Sequence, residues 1–270
     1  MTVEEAALLT EEIGPILAVT FNRPNKLNAL NQDLLGRLDQ AIIAFRDRPD
    51  LRVLLIRARG RYFTAGADLS GAGGPDFAGS PLAVRNWYRT KMNGMQRMWD
   101  ELEAIEKPIV AAHHAPCFGG GLELSLSCDF RLAAVSARYA FPEANFGMIP
   151  ASGGVSRLTR IVGPHWARWL IMANKPITAE RALAIGLVHE IFPDETFEDE
   201  VMAFCRHLAA QPPEVTAIAK RTIELAADLE AAQARHVERL AASLLTGGRE
   251  YEELIAQVVR RHSGGERRQD

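Results

Sequence analysis

The sequence has few cysteines and none of the spacings that bind a metal or form a redox centre. Its three cysteines, Cys117, Cys128 and Cys205, are odd in number, and no two of them form a CxxC pair. This pattern argues against a disulfide framework and favours reduced thiols in a reducing compartment. His113 and His114 are adjacent and cannot share one helical face as zinc-binding histidines do, so we predict no metal site.

Three common motifs for nucleotides and nucleophiles are also missing. No glycine directly precedes a lysine, which excludes a phosphate loop of the Walker A type. The glycines at 119–121 are followed by Leu124, where a dinucleotide-binding GxGxxG motif would require another glycine. No GxSxG motif occurs, which excludes the usual nucleophile elbow of serine hydrolases.

The sequence lacks an excess of either charge and lacks long apolar runs. The 31 Lys and Arg are offset by 34 Asp and Glu, so we expect no nucleic-acid partner. Residues 1–12 are acidic and have neither the basic nor the apolar region of a secretory signal. No uninterrupted apolar run is long enough to span a bilayer. We therefore predict a cytoplasmic protein without a membrane partner.

Apolar runs alternate with helical patterns along most of the chain, which predicts an α/β fold. Nearly continuous apolar strands are typical of buried parallel sheets, and their alternation with helices predicts repeated crossover connections. Asn31 is a suitable N-cap for the first helix. The predicted strands are 16–21, 53–56, 109–112 and 130–135, and the predicted helices are 33–45, 178–185, 194–210 and 213–245, the last with a break at an unassigned position.

Three consecutive glycines, at 119–121, precede an acid in apolar surroundings. Glycines allow close approach of another molecule to the backbone, and we predict that a short buried helix begins at them. Glu123 lies among leucines, and a buried carboxylate is costly unless it is paired or functional. A single buried glutamate such as Glu123 more often has a structural role than a catalytic one. A second acid, Glu143, in the same segment favours catalysis by the pair.

Several motifs, in this order and spacing, resemble the crotonase superfamily, the enoyl-CoA hydratase/isomerase family. They are Arg23-Pro24 with Asn28-Ala29-Leu30, Phe63-Thr64-Ala65-Gly66-Ala67-Asp68-Leu69, Gly119-Gly120-Gly121-Leu122-Glu123, and Pro142-Glu143 with Phe146-Gly147 and Ile149-Pro150. The resemblance implies a repeated ββα spiral core with the active site over residues 1–200 and a helical trimerisation region over 201–262. A homotrimer or homohexamer is implied, and the composition of 263–270 predicts a disordered tail.

The resemblance also implies the reaction and the residues that perform it. The N–H groups of Ala67 and Gly120 would form an oxyanion hole for the thioester oxygen of a trans-2-enoyl-CoA. Glu123 would activate water and Glu143 would protonate C2, which gives the 3-hydroxyacyl-CoA. Coenzyme A is part of this substrate, and no separate cofactor is expected.

Further residues are assigned to substrate binding by the same resemblance. Arg23 and Lys26 are expected to contact phosphate groups, and Trp87 and Tyr88 are expected to line the acyl pocket with Met95. Substrate binding is also assigned to three residues in the turn around Ala67, namely Ala65, Asp68 and Leu69. The segment 151–155 begins another helix and presents backbone N–H groups toward the site.

Other activities remain open at this point. A 3-enoyl-CoA isomerase of the same fold needs mainly the acid at Glu143, so the additional acid at Glu123 favours hydration. Cys117-Phe118 and residues 247–250 resemble aromatic enoyl-CoA hydratase-lyases, although those lack an acid at position 123. A more remote alternative is a binding protein for CoA thioesters with no catalytic activity.

The sequence around Tyr251 departs from the basic, aromatic segment that members of the family usually have near the C-terminus.

Overall fold

A computed structural model describes residues 6–70 and 80–265, and within this part the side chains of 91–93 and 261–265 are not described. The strands are β1 (Leu8–Ile13), β2 (Ile16–Phe21), β3 (Val53–Ala58), β4 (Ile109–His113), β5 (Cys117–Phe118), β6 (Phe130–Ala134), β7 (Arg138–Ala140), β8 (Ile177–Thr178) and β9 (Glu190–Phe192). The predicted strands 16–21, 53–56, 109–112 and 130–135 correspond to β2, β3, β4 and β6.

The helices connect these strands and then form the end of the chain. They are α1 (Gln32–Asp47), α2 (Pro81–Trp87), α3 (Asn93–Ala104), α4 (Gly120–Leu126), α5 (Gly154–Ala167), α6 (Ala179–Ala184), α7 (Phe197–Ala209), α8 (Pro213–Asp228), α9 (Ala231–Leu245) and α10 (Arg249–Gly265). Asn31 caps α1 as predicted, because its side chain accepts a hydrogen bond from the Leu34 N–H. The break predicted within the helical stretch 213–245 lies between α8 and α9, at residues 229–230.

Two sheets organise the first part of the chain. The larger sheet has the order β1-β2-β3-β4-β6-β9, in which β1 is antiparallel to β2 and the other neighbours are parallel. The smaller sheet has the order β5-β7-β8. An isolated parallel bridge between Thr64 and Cys117 brings the segment after β3 beside β5.

The larger sheet is covered on both faces, which explains its continuous apolar strands. In β2, Leu17 and Val19 belong to the main core, whereas Ile16 and Ala18 belong to a second core on the opposite face. Helix α7 covers that second face with Phe197, Val201 and Cys205.

The chain divides into two compact units, Met1–Ala209 and Ala210–Asp270. The first unit therefore includes α7, whereas the sequence placed the boundary after residue 200. Helix α10 extends to Gly265, and 266–270 lie outside the described residues, so the disordered tail over 263–270 stays a prediction. Within the described part, no helix is long and apolar enough to cross a membrane.

Candidate active site

The first candidate oxyanion donor lies in a turn that is fixed by backbone hydrogen bonds. Leu30 bridges Ala67 in a parallel pairing: the Leu30 N–H donates to the Gly66 oxygen at 2.8 Å, and the Asp68 N–H donates to the Leu30 oxygen at 3.1 Å. This pairing uses the Gly66 oxygen and the Asp68 N–H, while the Gly66 N–H donates to the Thr64 hydroxyl at 3.0 Å. The Ala67 N–H itself has no hydrogen-bond acceptor among the described residues.

The second candidate donor, Gly120, is the first residue of α4, and its N–H likewise lacks an acceptor within the described part of the chain. The two turns touch. A Cβ atom built on Gly66 would lie 3.4 Å from the Gly120 nitrogen and 3.2 Å from the Phe118 oxygen. The structure therefore brings the predicted pair of turns together.

The glycines at 119 and 121 are required by close approach of neighbouring groups. A Cβ atom at Gly121 would overlap Cγ2 of Thr64, so this helix position has no room for a side chain. Gly119 has a positive φ of 54°, and a Cβ atom there would lie 2.9 Å from Oε1 of Glu143. The glycine segment is thus packed between the Thr64 turn and the second acid.

Glu123 is buried and is held by backbone amides. Its side chain is 4% exposed, and its Oε1 accepts hydrogen bonds from the N–H groups of Ser152 at 2.8 Å and Gly154 at 3.1 Å. Its Oε2 lies 3.8 Å from the position of a Cβ atom on Gly120. Burial raises the pKa of Glu123, while the two amides and the charge of Arg157 act in the opposite direction.

Glu143 lies on a 3₁₀ turn, Pro142–Phe146, on the other side of the glycines. Its Oε2 is buried and has no hydrogen-bond partner among the residues that the structure describes. Burial, with a further contribution from the charge of Glu123, raises the pKa of Glu143 to about 7. The two acids therefore flank one short backbone segment, and burial raises the pKa of Glu143 although a hydrogen bond from its own backbone amide acts in the opposite direction.

Arg23 and Asp68, both assigned to the substrate from the sequence, contact each other. Arg23 Nη1 lies 2.8 Å from Asp68 Oδ2 and also donates to the Ala29 oxygen. The hydroxyl of Ser70 and the guanidinium of Arg23 lower the pKa of Asp68 to about 2. This ion pair ties the turn around Ala67 to the segment after β2. Direct contact of either residue with a substrate stays a prediction.

The other residues assigned to coenzyme A lie near the same turn. Lys26 is exposed at the end of the 3₁₀ turn Pro24–Lys26. Ala65 is half-buried, and its N–H donates to the Leu27 oxygen at 2.9 Å. Leu69 is 51% exposed. Their contacts with a substrate stay predictions.

The residues assigned to the acyl pocket lie from the last residue of α2 to the first turn of α3. The rings of Trp87 and Tyr88 are in edge contact, with centroids 5.1 Å apart. Cε of Met95 lies 3.7 Å from the position of a Cβ atom on Gly120. Met95 is therefore beside the glycine segment, whereas the contacts of Trp87 and Tyr88 with an acyl chain stay predictions.

The sequence analysis predicted that the segment 151–155 presents backbone N–H groups toward the site, but it did not assign them to Glu123. The amides of Ser152 and Gly154 come from the start of α5, and a Cβ atom on Gly154 would lie 2.7 Å from Glu123 Oε1. The two small glycines at 153 and 154 before a helix are the only sign of this approach in the sequence. Arg157, on the first turns of α5, gave no sequence signal.

The remaining titratable groups near the site have structural roles. His113 is fully buried between the Tyr139 hydroxyl, at 3.0 Å, and the Ser125 hydroxyl, at 2.9 Å. Burial lowers the pKa of His113 to about 3, so it is neutral. All three cysteines are buried and free. In the described ranges, no cluster of His, Cys, Asp or Glu could hold a metal ion.

Comparison with known proteins identifies relatives of the family that the sequence motifs resemble. The sequence profile of the family "Enoyl-CoA hydratase/isomerase" matches residues 11–253. A mitochondrial enoyl-CoA hydratase of Pongo abelii is 33% identical over 221 residues, which cover 82% of this chain and 73% of that protein. A crotonyl-CoA hydratase of Syntrophomonas wolfei is 36% identical over 202 residues, which cover 74% of each chain.

The fold is also shared with solved structures. A crystal structure of an enoyl-CoA hydratase subunit from Geobacillus kaustophilus HTA426 superimposes with a TM-score of 0.85 at 29% identity, over 94% of this chain and 95% of that chain. This similarity confirms the predicted crotonase-like α/β fold. Together with the profile match over most of the sequence, it leads to one conclusion: the chain belongs to the enoyl-CoA hydratase/isomerase family.

Proposed function

We propose that the protein is an enoyl-CoA hydratase that adds water to trans-2-enoyl-CoA thioesters and gives 3-hydroxyacyl-CoA. The observation that carries this proposal is the arrangement of two carboxyl groups around one glycine segment. Glu123 Oε2 lies beside Gly120, and Glu143 Oε1 lies beside Gly119. Hydration needs a base that takes a proton from water and an acid that gives a proton to a carbon of the substrate, and this pair can supply both.

Stabilisation of negative charge on the thioester oxygen is the second requirement. The N–H groups of Ala67 and Gly120 would donate to that oxygen as electrons move from the double bond toward the carbonyl. Both groups lack acceptors among the described residues and belong to turns in contact. Each such donor contributes about 10²–10³ in rate in enzymes where it has been removed.

The environments of the acids support a division of roles. The amides of Ser152 and Gly154 favour the ionised form of Glu123, which takes a proton from water as its oxygen adds to C3. Glu143, whose pKa is raised to about 7, delivers a proton to C2. The sum is the addition of one water molecule across the double bond. Because the two acids interact, their titration belongs to the pair.

The surrounding residues complete the proposal. Lys26 would contact phosphates of coenzyme A, and Ala65 and Leu69 would lie along the pantetheine end of the substrate. Trp87 and Tyr88 would line the acyl pocket. A cytoplasmic homotrimer or homohexamer is proposed from the family resemblance, and light scattering of the purified protein would measure the assembly.

A substrate screen tests this function against the alternatives. Hydration of crotonyl-CoA and longer trans-2-enoyl-CoAs should remove the absorbance of the conjugated thioester and yield 3-hydroxyacyl-CoA on chromatography. An isomerase would act only on 3-enoyl-CoA and would increase that absorbance. A hydratase-lyase would instead cleave feruloyl-CoA to an aldehyde. Binding without any spectral change would indicate a protein that only binds CoA thioesters.

A further inference from the structure

A cluster of polar side chains outside the acid pair joins α3 to the beginning of α5. Arg157 Nε donates to Oε1 of Glu103 at 2.6 Å, and Arg157 Nη2 donates to Oε2 of Glu103 at 2.8 Å and to Oδ1 of Asp100 at 2.5 Å. Gln96 Nε2 donates to the Ala151 oxygen at 3.1 Å. Bidentate pairing of this kind fixes the orientation of the guanidinium as well as its position.

The three partners on α3 lie on one face of that helix. Gln96, Asp100 and Glu103 are spaced at i, i+4 and i+7, so their side chains form a single row, which we term the α3 polar row. The row contacts the segment 151–157 at two points, the Ala151 oxygen and the Arg157 guanidinium. Rotation or displacement of that segment would break both contacts.

Arg157 also contacts the turn that precedes its own helix. Its Nη1 donates to the Ser152 oxygen at 3.3 Å, and its side chain is only 11% exposed. A Cβ atom on Gly153 would overlap Nη1, so the guanidinium lies directly against the turn. The same peptide segment supplies the N–H groups of Ser152 and Gly154 to Glu123 Oε1.

We infer that Arg157, held by the α3 polar row, is a positioning residue that fixes these two amides on Glu123 and thereby aims the base of the hydration reaction. The inference rests on the proposed hydratase function. Arg157 contacts no reacting atom in this scheme and acts through the turn. Misplacement of a catalytic group by about 1 Å costs on the order of 10²-fold in rate, so precise support of this turn matters for turnover.

Arg157 also affects the pKa of Glu123 through its charge, and this effect can be measured separately from its effect on position. The charged or titratable groups that act on Glu123 are Glu143 from the opposite turn and Arg157 from α5. Asp100 and Glu103 on α3 face Arg157. Loss of the Arg157 charge removes an influence that lowers the pKa of Glu123, so the base should be protonated at higher pH in such a variant.

Replacement of Arg157 tests the inference by steady-state kinetics over a range of pH. We expect Arg157→Met to lower kcat for crotonyl-CoA about 10- to 100-fold with KM changed little. The acidic limb of the pH profile of kcat should move to higher pH, because the Arg157 charge that lowers the pKa of Glu123 is lost. Arg157→Lys keeps the charge and should retain the position of the limb with part of the loss in kcat. Arg168→Met, at an exposed arginine at the C-terminal end of the same helix, is the matched control and should resemble the wild type.

A second variant and a second measurement keep the outcome decisive. Glu103→Gln removes the charge of Glu103 and one of the two oxygens that accept from the guanidinium. It should also lower kcat, and it replaces Arg157→Met in the test if that variant does not fold. Carbon-13 NMR titration of Glu123, assigned with Glu123→Gln, should show its pKa higher in Arg157→Met than in wild type, whether or not the substrate is turned over. Wild-type kcat in both Arg157→Met and Glu103→Gln, or an unchanged Glu123 titration, would overturn the inference. An inactive wild type with the expected titration would instead reject the proposed function alone.

Discussion

Glu123 and Glu143 carry the same carboxyl group but are stabilised differently. One oxygen of Glu123 accepts two backbone N–H groups, which favour its charged form despite burial. A buried oxygen of Glu143 has no such donor among the described residues, and its pKa is raised to about 7. At the scale of single residues, Glu123 has two amides from another element, whereas Glu143 has only its own backbone amide, and this difference separates the base from the acid.

Glu143→Gln should change the pH dependence of stability. The folded state holds the Glu143 proton up to a pKa of about 7, above its ordinary value, so wild-type stability falls as pH rises through 7 and the proton is lost. Glutamine cannot ionise. Relative to wild type, the variant should gain about 1 kcal/mol in the free energy of unfolding between pH 5 and pH 8, a value reduced for partial exposure.

Urea unfolding at both pH values measures this difference. Glu195→Gln, at an exposed position in the loop before α7, serves as the control and should show no comparable change with pH. An equal difference between Glu143→Gln and wild type at pH 5 and pH 8 would contradict the raised pKa of Glu143.

At the scale of elements, helix α4 depends on its glycines because the Thr64 turn lies against them. Alanine normally stabilises a helix interior relative to glycine by about 0.5–1 kcal/mol. At Gly121 the added methyl group would overlap the Thr64 side chain, which is itself fully buried. Because of this contact between the two turns, glycine is expected to be more favourable than alanine at position 121.

Gly121→Ala should destabilise the protein by about 1–3 kcal/mol in chemical unfolding. Gly36→Ala, on the exposed face of α1 with no atom within 4 Å of its added Cβ, is the matched control and should be neutral or stabilising. Thr64→Ser removes the overlapping methyl group and should recover part of the loss in the Gly121→Ala background. Equal effects of the two alanine substitutions would show that packing against Thr64 is unimportant.

At the scale of the whole molecule, the sequence was most informative where burial is complete. Strands β2, β3 and β4 are apolar on both faces and were predicted closely. Strand β1 was missed because it is an edge strand whose central residues, Thr10 to Glu12, are exposed and polar. The hydrophobic pattern of such a half-exposed strand is too weak to predict it from the sequence.

The site was predictable to the extent that it consists of local motifs. Both acids and both donor turns follow from short runs of residues. The support from Arg157 does not, because its partners Glu103 and Asp100 lie 54 and 57 residues earlier in the chain. Arg23 likewise pairs with Asp68 across 45 residues, a tertiary contact that no local pattern indicates.

The measurement that tests the account most directly is single-turnover loss of crotonyl-CoA absorbance in the wild type, Glu123→Gln and Glu143→Gln. Both substitutions keep the shape of the side chain, and binding of the substrate should persist in both. The account predicts rapid hydration by the wild type and a loss of about 10²-fold or more in each variant. Hydration at the wild-type rate by either variant would contradict the two-acid mechanism.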